Sequence, residues 1–155
     1  MVNINKEMPL FAKLHKVNFL FDRISDQTLQ EQFSITLTQY HVLISLHIGS
    51  CSSSDIAKYW GVSKPAISRQ VEGLRVRKFL KRQENPTNRR EQILAATKTG
   101  DTLFIKATAL LENMFDELSK GLKGSEKKML EKNLDILLSV LRQQSDAKNN
   151  TRKLK

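Results

Sequence analysis

The residues with the clearest binding chemistry form a dense basic segment between Lys64 and Arg90. Nine of its 27 residues are basic and two are acidic, whereas the whole chain of 155 residues carries 26 basic and 16 acidic residues. A guanidinium can donate two hydrogen bonds to one base edge, and both cations bind phosphate. Charge concentrated on a folded segment indicates a polyanionic partner, with nucleic acid favoured over an anionic membrane. We expect no membrane partner, because no apolar insertion face accompanies the charge.

The first part of this segment predicts a helix with one small and basic face. At about 100° per residue, Ile67, Val71 and Leu74 fall on one apolar stripe, and Pro65 and Arg69 point away from it. Side chains of this size can approach base edges in a major groove, where Arg pairs with guanine and Ser bonds to several bases. The predicted base-reading residues are Pro65, Ala66, Ser68 and Arg69.

Backbone phosphates require a second set of polar and basic residues. The start of the predicted helix offers free N–H groups and the positive end of the helix dipole. The predicted phosphate contacts are Thr38, Gln39, Ser63, Lys64 and Arg75.

These side chains must be positioned by helices and a hairpin, which the apolar periodicity predicts in order. We predict one helix over residues 10–24, one starting at Thr36 or Thr38 and ending near Gly49, a short one over 55–60 capped by serines, and one starting at Ser63. Strands at 80–84 and 92–97 flank an Asn-Pro-Thr-Asn turn and form a hairpin. Two further helices follow, at about 103–118 and from Ser125.

A short helix, a tight turn and a second helix with a basic start make a helix-turn-helix. The segment GVSKPAISRQVEGL resembles the recognition helix of the MarR family of bacterial winged-helix regulators, with Ser63, Ser68 and Arg69 at matching positions. The hairpin ending NRR…ATKTG is similar to the wing of that family. The resemblance extends from Leu37 to about Gly100.

The resemblance implies a mainly α fold with a winged helix-turn-helix lobe and a helical dimerisation region. We predict a single domain over residues 1–145, with the lobe at about 36–98, dimerisation helices at about 5–33 and 99–145, and a basic, disordered tail at 146–155.

The basic hairpin can reach an adjacent minor groove, for which the candidates are Arg89 and Arg90, and the resemblance implies that Arg90 enters it. Asn85 and Asn88 replace wing aspartates of the family, and Ala96 replaces a leucine. Lys78 stands where the family has a helix-ending glycine, which predicts a cost of about 1 kcal/mol if Lys78 takes a positive φ.

The last predicted helix suggests how two copies assemble. Its apolar residues form a stripe too wide for one interface, so we expect a homodimer, with an intramolecular helix pair as the alternative. The members of that stripe are residues 129, 130, 134, 136, 137, 138, 140 and 141.

The predicted function is a cytoplasmic, sequence-specific regulator that binds double-stranded DNA at a pseudo-palindromic operator, in most relatives as a repressor. The alternatives are a winged-helix module that binds a protein and a nonspecific architectural DNA binder. Family members often bind a small aromatic effector, for which the candidate residues are Phe11, His15, Phe19 and Phe115. Aromatic side chains at helical spacing, however, usually pack in a core.

Other chemistry finds little support in the sequence. There is no glycine-rich phosphate loop, HExxH or GxSxG, so we expect no enzyme and no cofactor. The single cysteine, Cys51, cannot form an internal disulfide, and no cation adjoins it in sequence to activate its thiol. The histidines His15, His41 and His47 are too dispersed to predict a metal site.

Overall fold

The computed structural model describes residues 8–49, 52–85 and 88–153, with side chains described for residues 8–49, 52–85 and 93–144. Over these residues the chain is mainly helical, with one two-stranded antiparallel sheet, as the sequence predicts. The elements are α1 (Leu10–Phe33), α2 (Leu37–His47), α3 (Ser53–Trp60), α4 (Lys64–Val76), β1 (Leu80–Asn85), β2 (Asn88–Ala96), α5 (Lys98–Leu118) and α6 (Gly124–Lys153).

The first two helices meet at a sharp turn. Helix α1 continues nine residues past the predicted end, and stops where Ser34 adopts φ 54° in the left-handed region. Thr36, rather than Thr38, caps α2, because its hydroxyl accepts from the Gln39 N–H at 3.1 Å while the Gln39 side chain accepts from the Thr36 N–H at 3.2 Å. This reciprocal capping box satisfies two N–H groups that have no helical acceptor.

Helices α3 and α4 form the predicted helix-turn-helix. Gly61, at φ 66°, ends α3 in a conformation that glycine adopts without steric cost. Ser63 then caps α4 through the Ala66 N–H, and Pro65 occupies the first turn, where its missing N–H costs nothing. The apolar side of both helices is buried in a core that also takes residues from α1, α2, β1, β2 and α5, and that includes Leu29, Val42, Leu43, Ile56, Ile67, Val71, Leu74, Leu80, Leu94 and Leu103.

The wing strands pair in register from Leu80 opposite Ala96 to Glu84 opposite Gln92, with an irregularity before Asn85 pairs with Asn88. Strand β2 therefore starts four residues before the predicted Gln92. Followed back toward the turn, the apolar pattern of β2 ends at Ile93. Backbone hydrogen bonds continue the strand pairing beyond it to Asn88.

The end of α4 is joined closely to the start of α5. Lys78 takes φ 61°, as the glycine replacement predicts, and the Phe79 N–H donates to the Leu74 carbonyl at 2.9 Å. The Thr97 hydroxyl donates to the Lys78 carbonyl at 2.7 Å. A Cβ on Gly100 would collide with the Phe79 carbonyl oxygen, so only glycine fits this contact.

The chain divides into two compact units, with the boundary between Leu111 and Glu112 inside α5. In the second unit, Lys127 lies 3.3 Å from Asp116 and the Lys123 N–H donates to Glu126 at 2.7 Å, which fixes the turn before α6. The single domain over residues 1–145 stays a prediction.

The prediction of a disordered tail at 146–155 is wrong for residues 146–153, because α6 continues to Lys153. No glycine or proline follows Gly124, so nothing in the sequence stops the helix, and propagation costs little once it has started. No helix in the described part of the chain is long and apolar enough to cross a membrane.

Candidate nucleic-acid interface

The exposed side of α4 carries the predicted base-reading residues. Ile67, Val71 and Leu74 are at most 2% exposed on the opposite side. Pro65, Ser68 and Arg69 are exposed, and Ala66 is half-buried beside them. The guanidinium of Arg69 therefore projects from a surface of short side chains, and such a surface can approach base edges closely in a major groove.

The start of α4 presents its phosphate candidates as predicted. Ser63 and Lys64 are both exposed, and the Ser63 hydroxyl accepts from the Ala66 N–H at 3.4 Å. The cap leaves the hydroxyl hydrogen available to donate to an anion. Helix N-termini of this kind bind phosphate through their backbone N–H groups.

The two candidates on α2 differ from each other. Thr38 is exposed, whereas Gln39 is half-buried and makes a contact inside the fold. The Gln39 side-chain oxygen accepts from the Thr36 N–H at 3.2 Å, and its Nε2 lies 2.9 Å from the position that a Cβ on Gly73 would occupy. Gln39 thus orders the start of α2 against α4, a role that the capping-box pattern Thr-x-x-Gln could have revealed.

Arg75 is already paired within α4. Its Nε and Nη2 atoms donate to the Glu72 carboxylate at 2.8 and 2.6 Å, and both side chains are about half exposed. The hydrogen bond lowers the pKa of the Glu72 carboxyl below its ordinary value and raises the pKa of Arg75. Both groups stay ionised near neutral pH, so a phosphate must compete with Glu72 for this guanidinium.

An open cleft beside Arg75 is lined by three cations for which the sequence predicts no DNA contact. The cleft measures about 590 Å³ and lies between the end of α4 and the start of the wing. Its lining contains Lys78, Lys81 and Arg82. In the wing, Arg82 pairs with Leu94. The register of the two strands, which the sequence alone does not determine, therefore places Arg82 toward α4.

The wing arginines Arg89 and Arg90 belong to β2, but their side chains lie outside the described residues. Their minor-groove role therefore stays a prediction. Cys51 also lies outside the described residues.

Three of the four effector candidates come together on α1. Phe11, His15 and Phe19 line a shallow, open groove of about 480 Å³ with Met8, Ala12 and Lys16. Phe11 is 69% exposed, so the prediction that aromatic spacing here reflects core packing does not hold within one chain. The fourth candidate, Phe115, belongs to the second unit.

The other two histidines have structural partners in the helical core. The His41 ring stacks on Trp60 at 3.9 Å, and burial lowers the pKa of His41. The Trp60 Nε1–H donates to Ser45 at 2.8 Å, and the Ser45 hydroxyl donates to the His41 carbonyl at 2.7 Å. His47 stacks on Phe104 at 3.8 Å, and its Nε2 lies 3.3 Å from Asp101. Among residues 8–49, 52–85 and 88–153, no three His, Cys, Asp or Glu side chains converge as metal ligands.

A helix-turn-helix with an exposed basic recognition helix and an adjoining hairpin defines a winged-helix regulator. The model of the MarR family matches residues 33–91. The multiple antibiotic resistance protein MarR of Escherichia coli is 27% identical over 129 residues, which cover 82% of this chain and 89% of that protein. The MarR protein of Salmonella typhimurium is 26% identical over the same length and shares of the two chains.

Solved structures of MarR proteins are also similar to this chain. Wild-type apo MarR from E. coli superposes with a TM-score of 0.74 at 27% identity, covering 86% of this chain and 99% of that one. A cysteine-to-serine mutant of E. coli MarR, crystallised with operator DNA, gives 0.69 at 26% identity, covering 89% and 99%. BldR from Sulfolobus solfataricus gives 0.74 at 20% identity, covering 90% and 99%, which supports the fold alone.

The winged-helix lobe of the chain, residues 33–91, thus matches the MarR family, and the relatives and solved structures that resemble the whole chain include MarR proteins. Proteins of that family are transcription regulators and not enzymes.

Proposed function

We propose that this protein is a homodimeric repressor that binds a pseudo-palindromic operator in double-stranded DNA, in the cytoplasm. The observation that carries the proposal is the exposed face of α4, where Ser68 and Arg69 stand opposite a fully buried apolar stripe. Arg69 would pair with a guanine, and Pro65, Ala66 and Ser68 would meet neighbouring base edges.

Phosphate contacts would hold this helix in register. Ser63 and Lys64 are exposed at the start of α4, Thr38 lies in the first turn of α2, and Arg75 joins them once phosphate displaces Glu72. Lys81 and Arg82 in the neighbouring cleft extend the same positive surface toward the wing. Arg89 and Arg90 would complete the contact in the minor groove.

Apolar surface supports the homodimer. All eight residues of the predicted α6 stripe are at least 37% exposed. On α1, Leu10, Phe11, Val17 and Phe19 are at least 60% exposed. Exposed apolar stripes of this extent on α1 and on α6 indicate an interface, and a second copy of the chain is the partner that twofold symmetry supplies. The two recognition helices would then lie about 34 Å apart, one turn of DNA.

Selection of bound fragments from the genomic DNA of the source organism, followed by sequencing, tests this function. We expect a pseudo-palindrome whose affinity falls with salt at a log–log slope of about −0.9 per phosphate contact. Failure of every genomic duplex to bind above background at moderate salt would favour the protein-binding alternative.

Arg69→Ala separates a sequence-specific regulator from an architectural binder. We expect this variant to lose about 1–3 kcal/mol of discrimination between the selected duplex and a scrambled one. Arg75→Ala is the matched control, because loss of a phosphate contact weakens both duplexes equally. Equal weakening by both variants would instead indicate an architectural binder.

We propose in addition that a small aromatic effector binds the α1 groove lined by Phe11, His15 and Phe19 and releases the DNA. The open apolar lining of this groove supports the proposal. Titration of benzoate and of phenol into the DNA complex tests it. We expect dissociation that Phe11→Ala suppresses, and dissociation unchanged by that variant would place any effector elsewhere.

A further inference from the structure

Arg77 belongs to the basic segment and is exposed like its neighbours, but its guanidinium is hydrogen-bonded within the fold. It caps the C-terminal end of α4, and its guanidinium reaches back to the end of α1. Nη1 donates to the Ser34 carbonyl at 2.6 Å, and Nη2 donates to the Phe33 carbonyl at 3.0 Å. The guanidinium carbon also lies 4.8 Å from the centre of the Phe79 ring.

The end of α1 needs such a cation. Its last turn contains no basic residue, and its final carbonyls carry the negative end of the helix dipole. Because Ser34 adopts the left-handed region, the carbonyls of Phe33 and Ser34 can both accept hydrogen bonds from the one guanidinium of Arg77. Arg77 therefore supplies from α4 the capping charge that α1 lacks.

The same end of α1 is fixed to α2 by a second contact. The Asp26 carboxylate accepts from the Leu37 N–H at 2.7 Å, at the start of α2. Ser25 and Leu29 of α1 are fully buried near these contacts, whereas residues 10–24 of α1 include the exposed apolar side chains described above. Helix α1 thus joins an exposed apolar face to the core of the winged-helix lobe.

Arg77 is followed directly by the residues that hold the wing and α5. The Lys78 carbonyl accepts from the Thr97 hydroxyl, and the Phe79 carbonyl accepts from the Thr97 N–H at 3.0 Å. A displacement at the end of α1 would consequently reach the end of α4, the base of the wing and the start of α5 through three consecutive residues.

We propose that Arg77 is a positioning residue, which locks the end of α1 to the end of the recognition helix and makes no phosphate contact. The proposal rests on the DNA-binding function proposed above. One of the nine cations of the basic segment would then hold two helices of the fold together rather than bind DNA. Sequence selectivity would then depend on Arg77 although it touches no base.

Arg77→Met and Arg77→Lys test this link, with Lys81→Met as the matched loss of an exposed cation. The probes are the duplex recovered by genomic selection and a duplex of random sequence and equal length. We expect both Arg77 variants to lower the affinity ratio between the two duplexes about tenfold, because a single ammonium cannot replace the fork. The salt slope on random duplex should stay at the wild-type value in both variants, whereas Lys81→Met should reduce it by about 0.9.

Amide hydrogen exchange supplies a readout that needs no DNA. We expect exchange at Ser34 and Ile35 to accelerate about tenfold in both Arg77 variants and to stay unchanged in Lys81→Met. A salt slope reduced by Arg77→Met and restored by Arg77→Lys, with unchanged exchange, would make Arg77 a phosphate contact and overturn the proposal. A lower melting temperature with an unchanged affinity ratio would also overturn it, since the role would then be structural only. If neither duplex binds the wild type, the DNA-binding function fails, and unchanged exchange alone would still overturn the link.

Discussion

Helices α4 and α6 both carry apolar residues at helical spacing, but only α4 buries them within its own chain. Ile67, Val71 and Leu74 of α4 are at most 2% exposed. On α6, Leu134 is 40% exposed and Leu137 is 37% exposed, and no residue from Gly124 to Gln144 is buried. The same pattern thus has two outcomes in one molecule.

The difference shows that periodicity predicts a buried face but not the molecule that buries it. Burying apolar surface gains about 25 cal/mol per Å², whichever chain supplies the cover. For α4 the cover is the winged-helix core. For α6 we propose a second copy, so its contribution to stability should depend on protein concentration.

The largest expected effect is the loss of a buried α4 side chain. Leu74 is fully buried, so Leu74→Ala leaves a cavity and should lower the free energy of unfolding by about 2–5 kcal/mol. Chemical denaturation measures the change. The control is Met129→Ala on α6, where the side chain is exposed. This variant should change the stability of the monomer by at most about 0.5 kcal/mol. Equal losses would remove the distinction between the two helices.

The next effect concerns assembly. Leu134→Lys should dissociate the dimer at micromolar concentration and weaken operator binding about tenfold or more, because a charge cannot be buried unpaired in an apolar interface. Sedimentation velocity gives the mass and a binding titration gives the affinity. Ser139→Lys adds the same charge at about 140° from Leu134, on the side of α6 that carries no residue of the apolar stripe, and should leave the dimer intact. A Leu134→Lys variant that remains dimeric would show that α6 is not the interface.

A smaller effect is expected where α4 ends. Lys78 adopts a positive φ, and glycine has no Cβ penalty in that region. Lys78→Gly should therefore raise the free energy of unfolding by about 1 kcal/mol, measured by chemical denaturation. Lys78→Ala is the control that removes the charge but keeps the Cβ. If the alanine variant is stabilised as much as the glycine variant, charge repulsion rather than backbone strain limits this turn.

The smallest effect is a pH dependence of the winged-helix core. Burial lowers the pKa of His41 below its ordinary value, although Asp22 acts in the opposite direction. The unfolded state therefore binds the proton more readily, and the contribution of neutral His41 to stability is lost as pH falls from about 6.5 through the lower pKa of the folded state. Titration of the His41 ring by NMR checks this directly. A midpoint at or above that of an unfolded histidine would contradict it.

Local signals predict the helix-turn-helix well. Gly61, Ser63 and Pro65 each favour one backbone position, and the buried stripe of α4 follows the expected spacing. The same type of signal is insufficient at Asn88, where backbone pairing extends β2 without an apolar pattern. It is also insufficient in the tail, where charge and polarity suggest disorder but no residue interrupts α6.

Within the candidate site, the sequence predicts which side chains are exposed more accurately than it predicts the groups that those side chains bind. Pro65, Ser68 and Arg69 are exposed on α4 as predicted. The sequence suggests phosphate as the partner of Gln39, but the side-chain oxygen of Gln39 caps α2. Arg75 is paired with Glu72.

The sequence by itself determined the order of the elements and the buried face of α4, because caps, turns and helical spacing act over a few neighbouring residues. Only the tertiary structure decided which cations form hydrogen bonds within the fold. Arg77 reaches carbonyls of α1 that lie 43 and 44 positions earlier, and Gly100 lies against the carbonyl of Phe79. Such contacts depend on how helices pack, and no local spacing in the chain encodes them.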